Sequence, residues 1–148
     1  VKVKIKRLTE TALIPTYAKP GDACFDIHYD GNTEYYMSTP GHTDGLGTGL
    51  AFEVPEGYVM LVFSRSGQGF SNAVRLSNCV GIIDSGYRNE LFIKLRRDAG
   101  VGVKPLTVKK GDRIAQAMII KFDAIEFIES DELSDSERGM GGLGHTGK

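Results

Sequence analysis

The 148 residues carry 18 Lys and Arg against 19 Asp and Glu, a formal net charge of −1, with 41% hydrophobic and 25% charged residues. That is one globular domain with enough apolar mass for a core, and its near-neutral charge raises no basic field for nucleic acid, so a polyanionic ligand must be met by local donors. No apolar run reaches the roughly 18 residues of a membrane-spanning helix, and the alternating start holds no secretory core, which predicts a cytoplasmic protein, or host-cell cytoplasm if the origin is viral.

Period-two alternation opens the chain, with Val1, Val3 and Ile5 on one face and Lys2, Lys4 and Lys6 on the other. Short β-type runs follow at Gly49 to Val54, Tyr58 to Phe63, Ala73 to Ile83, Leu91 to Leu95, Arg113 to Phe122 and Ala124 to Ile128. Turn signals separate them at Lys19-Pro20-Gly21-Asp22, Pro40-Gly41, Pro55-Glu56-Gly57 and Lys109-Lys110-Gly111-Asp112. One short helical turn fits near Gly67 to Asn72. Many short strands with Gly and Pro turns predict an all-β barrel or sandwich. The stretch His28 to Thr48 is polar and yields no functional reading. His28 and His42 lack a second ligand at metal spacing and read as surface residues. Cys24 and Cys79, far apart, read as reduced thiols. The composition changes near Glu129. Residues 1–128 read as a β-domain, and 129–148 as an acidic then Gly-rich tail that is mobile until something orders it.

Chemistry concentrates in four places. In Leu-Ser-Asn-Cys-Val-Gly-Ile-Ile-Asp-Ser-Gly-Tyr, residues 76–87, Val80, Ile82 and Ile83 read as buried and run into Asp84. A carboxylate on the lip of an apolar wall is partly desolvated, which suits a general base. Tyr87 adds a flat face the size of a sugar. A strand ending in an ordinary Asp-Gly turn has the same composition. Ser64-Arg65-Ser66-Gly67 leaves a strand end with the donors that phosphate oxygens require, though a polar turn looks alike. Asp26, between Phe25 and Ile27, suits either a solvent-facing strand position or a hold on the water shell of Mg²⁺. In the tail, Arg138, Leu143, His145 and Thr146 stand among glycines like contact groups on a strap.

The order of these segments resembles that of the all-β, homotrimeric dUTPase family (deoxyuridine triphosphate nucleotidohydrolases). Five motifs carry the likeness along nearly the whole chain: 19–27, Ser64 to Gly67, Asn78 to Leu91, Gly111-Asp112-Arg113-Ile114-Ala115-Gln116, and 138–147. The resemblance implies a distorted β-barrel or jelly-roll with a flexible tail as lid, and a homotrimer whose active sites are shared between subunits. It implies a dUTP diphosphatase that forms dUMP and pyrophosphate, limiting uracil in DNA and supplying dUMP for thymidylate. Asp84 would activate the water that attacks the α-phosphorus, and Asp26 would hold Mg²⁺ through water. Arg65, Ser66, Gly67 and Gln116 would bind phosphate, and the backbone from Asn78 to Gly81 would read the uracil edge. Tyr87 would exclude a 2′-hydroxyl, and Arg138 would clamp the γ-phosphate. Leu143, Gly144 and His145 would close the lid, with Leu143 standing where the family usually carries Phe. Two other readings stand beside this one: a deoxycytidine triphosphate deaminase of the same fold, in which a Glu usually replaces the base at Asp84, and a nucleotide-sensing or partner-binding protein.

Overall fold

A computed structural model describes residues 1–100 and 102–142. Twelve strands and one helix are present among them. The strands are β1 (Lys4–Arg7), β2 (Phe25–His28), β3 (Tyr35–Met37), β4 (Gly41–His42), β5 (Leu46–Glu53), β6 (Tyr58–Phe63), β7 (Val74–Leu76), β8 (Val80–Ile83), β9 (Glu90–Ile93), β10 (Leu95–Arg97), β11 (Leu106–Val108) and β12 (Arg113–Lys121), and the helix is α1 (Ser66–Asn72). They form four small sheets of orders β1-β5-β9, β4-β10-β7, β11-β3 and β2-β12-β6-β8, antiparallel throughout. The all-β expectation holds, as a distorted fold of short sheets that does not close into a single barrel.

One core unites the sheets, built from inward residues such as Ile27, Leu46, Leu50, Met60, Val62, Leu76, Leu95 and Ile114. Strand β6 matches its expected span, and Val3 and Ile5 of the opening alternation pack against the core while Val1 stays exposed. The expected helical turn is a two-turn helix that starts one residue earlier. It ends at Ala73 in the left-handed region, where the Ala73 N–H donates to the Gln68 and Gly69 carbonyls.

Four expectations fail locally. The run Ala73 to Ile83 is two strands, because a turn at Ser77 to Cys79 breaks it and puts Cys79 at φ 65. The run Leu91 to Leu95 also divides, between β9 and β10 at Lys94, since its two parts pair with different partners. Ala124 to Ile128 forms no strand: it has no partner among the described residues, and Ile125 and Phe127 stand 71% and 90% exposed. Val80 and Ile82 are exposed rather than buried, because β8 is the outer strand of its sheet.

The polar stretch from His28 to Thr48 holds β3, β4 and the start of β5. Its alternation is masked because the inward positions include threonines. Buried Thr43 accepts from the Leu95 N–H at 3.0 Å, and Thr48 donates to the Leu91 carbonyl at 2.9 Å. Asp30, with its side chain 6% exposed, ties three segments together. It accepts from Thr9, from Thr11 at 2.8 Å, and lies 3.5 Å from the Lys110 ammonium. Burial alone would raise its carboxyl, but the two hydroxyls and Lys110 outweigh burial and hold it below the usual range. A depressed folded-state value stabilises the fold above the unfolded-chain value near pH 4 and withdraws that support as pH falls through the folded value. We therefore expect urea midpoints of the native protein to fall below about pH 4, and Asp30→Asn to lose less over that window while being weaker at neutral pH by about 1–3 kcal/mol.

Candidate functional site

Two clefts on the described chain gather most of the candidate residues, and they are chemically unlike. The first, of about 390 Å³, is lined by Asp22, Cys24, Asp26, Arg65, Ser66, Gly67, Arg113 and Gln116, with Ala18 and Ala23. The second, of about 330 Å³, is mostly apolar, with Val62, Leu76, Ile82, Ile83, Leu91 and Phe92 around Ser77, Asn78, Gly81 and Lys94.

The polar cleft follows from how β2, β6 and β12 end side by side. Asp26 of β2 lies opposite Gln116 of β12, which lies opposite Phe63, the last residue of β6. A register shift between Arg113 and Ala115 lets Ile114, Ala115 and Ala117 all turn inward while Gln116 faces the cleft. Gln116 Nε2 donates to the Ser64 carbonyl at 3.0 Å, fixing the chain as it leaves β6. Directly after it, Arg65 precedes α1, whose first-turn N–H groups have no intrahelical acceptor.

The Asp26 carboxylate sits between two guanidiniums. Arg113 Nη1 donates to Oδ2 at 3.2 Å, and Arg65 Nε lies 3.6 Å from Oδ1. Burial lowers the Arg65 guanidinium from its ordinary value, with Arg113 reinforcing and Asp26 and Asp112 opposing. The thiol of Cys24 is pushed up by burial and by the Asp26 charge. His28, expected at the surface, is half-buried, and its Nδ1 is interior without a partner. Burial pulls this imidazole below its ordinary value; Asp26 opposes that, and Arg113 and Arg65 add to it. His42 is exposed as expected, with Nδ1 3.2 Å from Ser77 Oγ. Cys24 and Cys79 are both free thiols. Among the described residues no cluster of three His, Cys, Asp or Glu could encase a metal. A single carboxylate on the rim of an anion cleft does fit Mg²⁺, which keeps most of its waters and binds through one or two carboxylates plus phosphate.

In the apolar cleft the backbone comes close because position 81 is glycine: a Cβ there would meet Val62 Cβ at 3.1 Å. Asp84 and Tyr87 line neither cleft and are exposed on the single chain, so the apolar wall inferred from the sequence does not desolvate Asp84 within one subunit. Tyr87 is held all the same: its N–H donates to the Asp84 carbonyl at 3.1 Å and its hydroxyl to the Glu90 carbonyl at 2.8 Å. Arg138 donates to its own tail, at the Gly141 and Gly142 carbonyls, 2.7 and 2.9 Å away. Leu143, Gly144 and His145 lie outside the described residues.

The register separates the two halves. Ile83 is opposite Met60, so Asp84 falls level with Val59, six residues before Arg65. At about 3.3 Å per residue that is about 20 Å along the sheet. Sequence reasoning missed Arg113 as a cleft residue, although it stands inside the fourth motif, and missed Gln68 altogether.

A family model described as dUTPase matches residues 10–147. The chain is 43% identical over 148 residues to the deoxyuridine 5'-triphosphate nucleotidohydrolase of Nautilia profundicola, covering all of both proteins. It superposes with a TM-score of 0.83 on the dUTPase of Staphylococcus bacteriophage 80alpha with dUPNHPP, at 27% identity and over 99% of each chain. A mutant dUTPase from phage phi11 of S. aureus, described for its coordination of a structural Mg(II) ion, shares the fold at a TM-score of 0.74 and 22% identity, over 89% of this chain and 98% of that one. The family match over residues 10–147 and the full-length relative at 43% identity agree: the chain belongs to the dUTPase family.

Proposed function

We infer that this chain hydrolyses dUTP to dUMP and pyrophosphate, an activity carried by its family membership and its curated relatives, and that it does so in sites completed between subunits. One observation carries the second part: a donor-rich cleft and the Asp84 turn lie at opposite ends of one strand pair, about 20 Å apart, too far to serve the same α-phosphorus. A second copy must bring the missing half.

In this scheme Asp84 takes a proton from water as the water oxygen bonds to the α-phosphorus. The bond from that phosphorus to the α,β-bridging oxygen breaks, and pyrophosphate carries away the electron pair. Little covalent chemistry falls to the protein, so positioning and charge stabilisation do most of the work. Arg65, Ser66, the backbone at Gly67 and Gln116 receive phosphate oxygens, with Ser66 near the bridge where leaving-group charge develops. Asp26 would hold Mg²⁺ through water, and that ion, when bound, offsets charge on the triphosphate. The backbone from Asn78 to Gly81 pairs with the uracil edge, inside a cleft whose apolar walls suit a flat base. The tail from residue 129 onward is the lid, with Arg138 on the γ-phosphate and Leu143, Gly144 and His145 over the nucleoside.

The Tyr87 hydroxyl is engaged with Glu90, so the ring is held and presents its face to the sugar. Steric exclusion of a 2′-hydroxyl predicts that Tyr87→Ala raises activity on UTP relative to dUTP by at least about tenfold. Unchanged selectivity in that variant removes Tyr87 from this role.

A homotrimer gives each Asp84 a partner cleft and covers surface that the single chain leaves bare. Val80, Ile82 and Phe92 are 40%, 66% and 56% exposed beside the base cleft. Among the described residues the outer edge of β1 is unpaired, and Ile125 and Phe127 are exposed. Light scattering should give close to three times 16.1 kDa. An active monomer rules the shared site out. Incubation with dUTP and, in parallel, with dCTP also separates the other readings: ammonia release from dCTP marks a deaminase, and binding without turnover marks a sensing module.

A further inference from the structure

The Arg113 carbonyl lies just past the end of β6. Pairing between β12 and β6 stops at Gln116 and Phe63, so no strand N–H is available to that carbonyl on this side. Two side chains from the segment after β6 take the strand's place. Arg65 Nη1 and Gln68 Nε2 both donate to it, each at 3.0 Å. A carbonyl has two lone pairs and accepts both without conflict. The two donors differ in exposure, for Gln68 is 7% exposed while the Arg65 contact is open to water.

Gln68 is an expensive residue to keep in that position. Its Oε1 is buried with no hydrogen-bond partner among the described residues. An apolar side chain of the same length would pack in the same space and leave no acceptor stranded. What the amide contributes is therefore the single bond from Nε2, and that bond ties α1 to β12. Ser66 and Gly67 ride on α1, Arg65 precedes it, and Gln116 and Arg113 ride on β12, so the bond spans both walls of the polar cleft.

We propose that Gln68 is a positioning residue: by holding the Arg113 carbonyl against the start of α1, it keeps the Arg65 guanidinium docked and aimed into the phosphate cleft. This rests on the reading above that Arg65 binds the triphosphate. Gln68 itself touches no substrate. Without it the Arg65 contact competes with water alone, α1 loosens from β12, and Arg65 must be ordered when dUTP arrives. That is a cost on ground-state binding, so it falls on KM rather than kcat.

The test is a double-mutant cycle on the assembled enzyme, with steady-state dUTP kinetics and a thermal melt for each variant. Gln68→Met should raise KM about fivefold with kcat little changed, and its melting midpoint should be no lower than that of the native protein, since the stranded Oε1 is gone. In an Arg65→Ala background the same substitution should add nothing further to KM, because the group through which it acts is absent. An unchanged KM in Gln68→Met, or a KM effect that multiplies fully with that of Arg65→Ala, overturns the positioning role. Should Gln68→Met fail to assemble, Gln68→Leu serves in its place; failure of both shows a purely structural residue and also overturns it. If Arg65→Ala alone leaves KM unchanged, the phosphate role of Arg65 is what fails, and the proposal falls with it.

Discussion

Replacing Asp84 with Asn leaves an assembled protein that binds dUTP and turns it over on the order of 10²–10⁴-fold more slowly. The amide is nearly isosteric with the carboxylate and keeps its hydrogen-bonding capacity, but it does not take a proton from water. The loss therefore belongs to kcat, with KM close to native. Calorimetry with a non-hydrolysable dUTP analogue checks binding, and initial rates check turnover. Near-native turnover by this variant removes Asp84 from the role of base. The same variant reports on how the site is assembled. Asp84 and Arg65 stand about 20 Å apart along one chain, so under the proposed shared site the pair that acts together is expected to come from two chains. Refolding Asp84→Asn together with Arg65→Ala should then give activity above that of either alone, because every mixed trimer contains one site with both native residues. No recovery on mixing would place both residues on the same subunit at each site.

Removal of residues 138–148 should leave a folded trimer whose kcat/KM for dUTP falls on the order of 10³-fold, the scale at which a transition-state arginine acts on a phosphoryl group. Every residue from Lys121 to Met140 is exposed, so the described part of the tail adds no core packing to the body. Among the described residues, Arg138 bonds to carbonyls of its own tail, contacts that a phosphate would replace with a charge-assisted pair. Ordering such a segment costs roughly 1–2 kcal/mol per residue in backbone entropy, so a lid lacking part of its contact set stays open. Leu143→Phe should act in the opposite direction. A ring over the base adds about 0.5–1.5 kcal/mol of stacking, enough to lower KM a few-fold without changing kcat. Full activity in the truncated protein makes the tail a tether rather than a lid.

The chain's own pattern was sufficient for the all-β class, for β6 to the residue and for the strand carrying Gln116. Both strands are largely apolar runs bounded by turn residues, and local chemistry decides such runs. Motif order also drew attention to Asp26, Arg65, Ser66, Gly67, Asn78, Gly81 and Gln116, which line the two clefts. Partners decided the rest. Val80 and Ile82 have the composition of buried strand residues, but burial depends on what covers a strand, and β8 is outermost in its sheet. The strand-like run Ala124 to Ile128 stays unpaired for the same reason: its hydrogen bonds need a neighbour that the described residues do not provide. Thr43 and Thr48 were invisible as core because their hydroxyls are satisfied by backbone groups more than forty residues away in sequence, at Leu95 and Leu91. The separation of the Asp84 turn from the cleft at Arg65, and the joint hold of Arg65 and Gln68 on the Arg113 carbonyl, are matters of register between strands. Sequence order sets which residues are present, and only the alignment of β6 with β8 and β12 sets how far apart they stand.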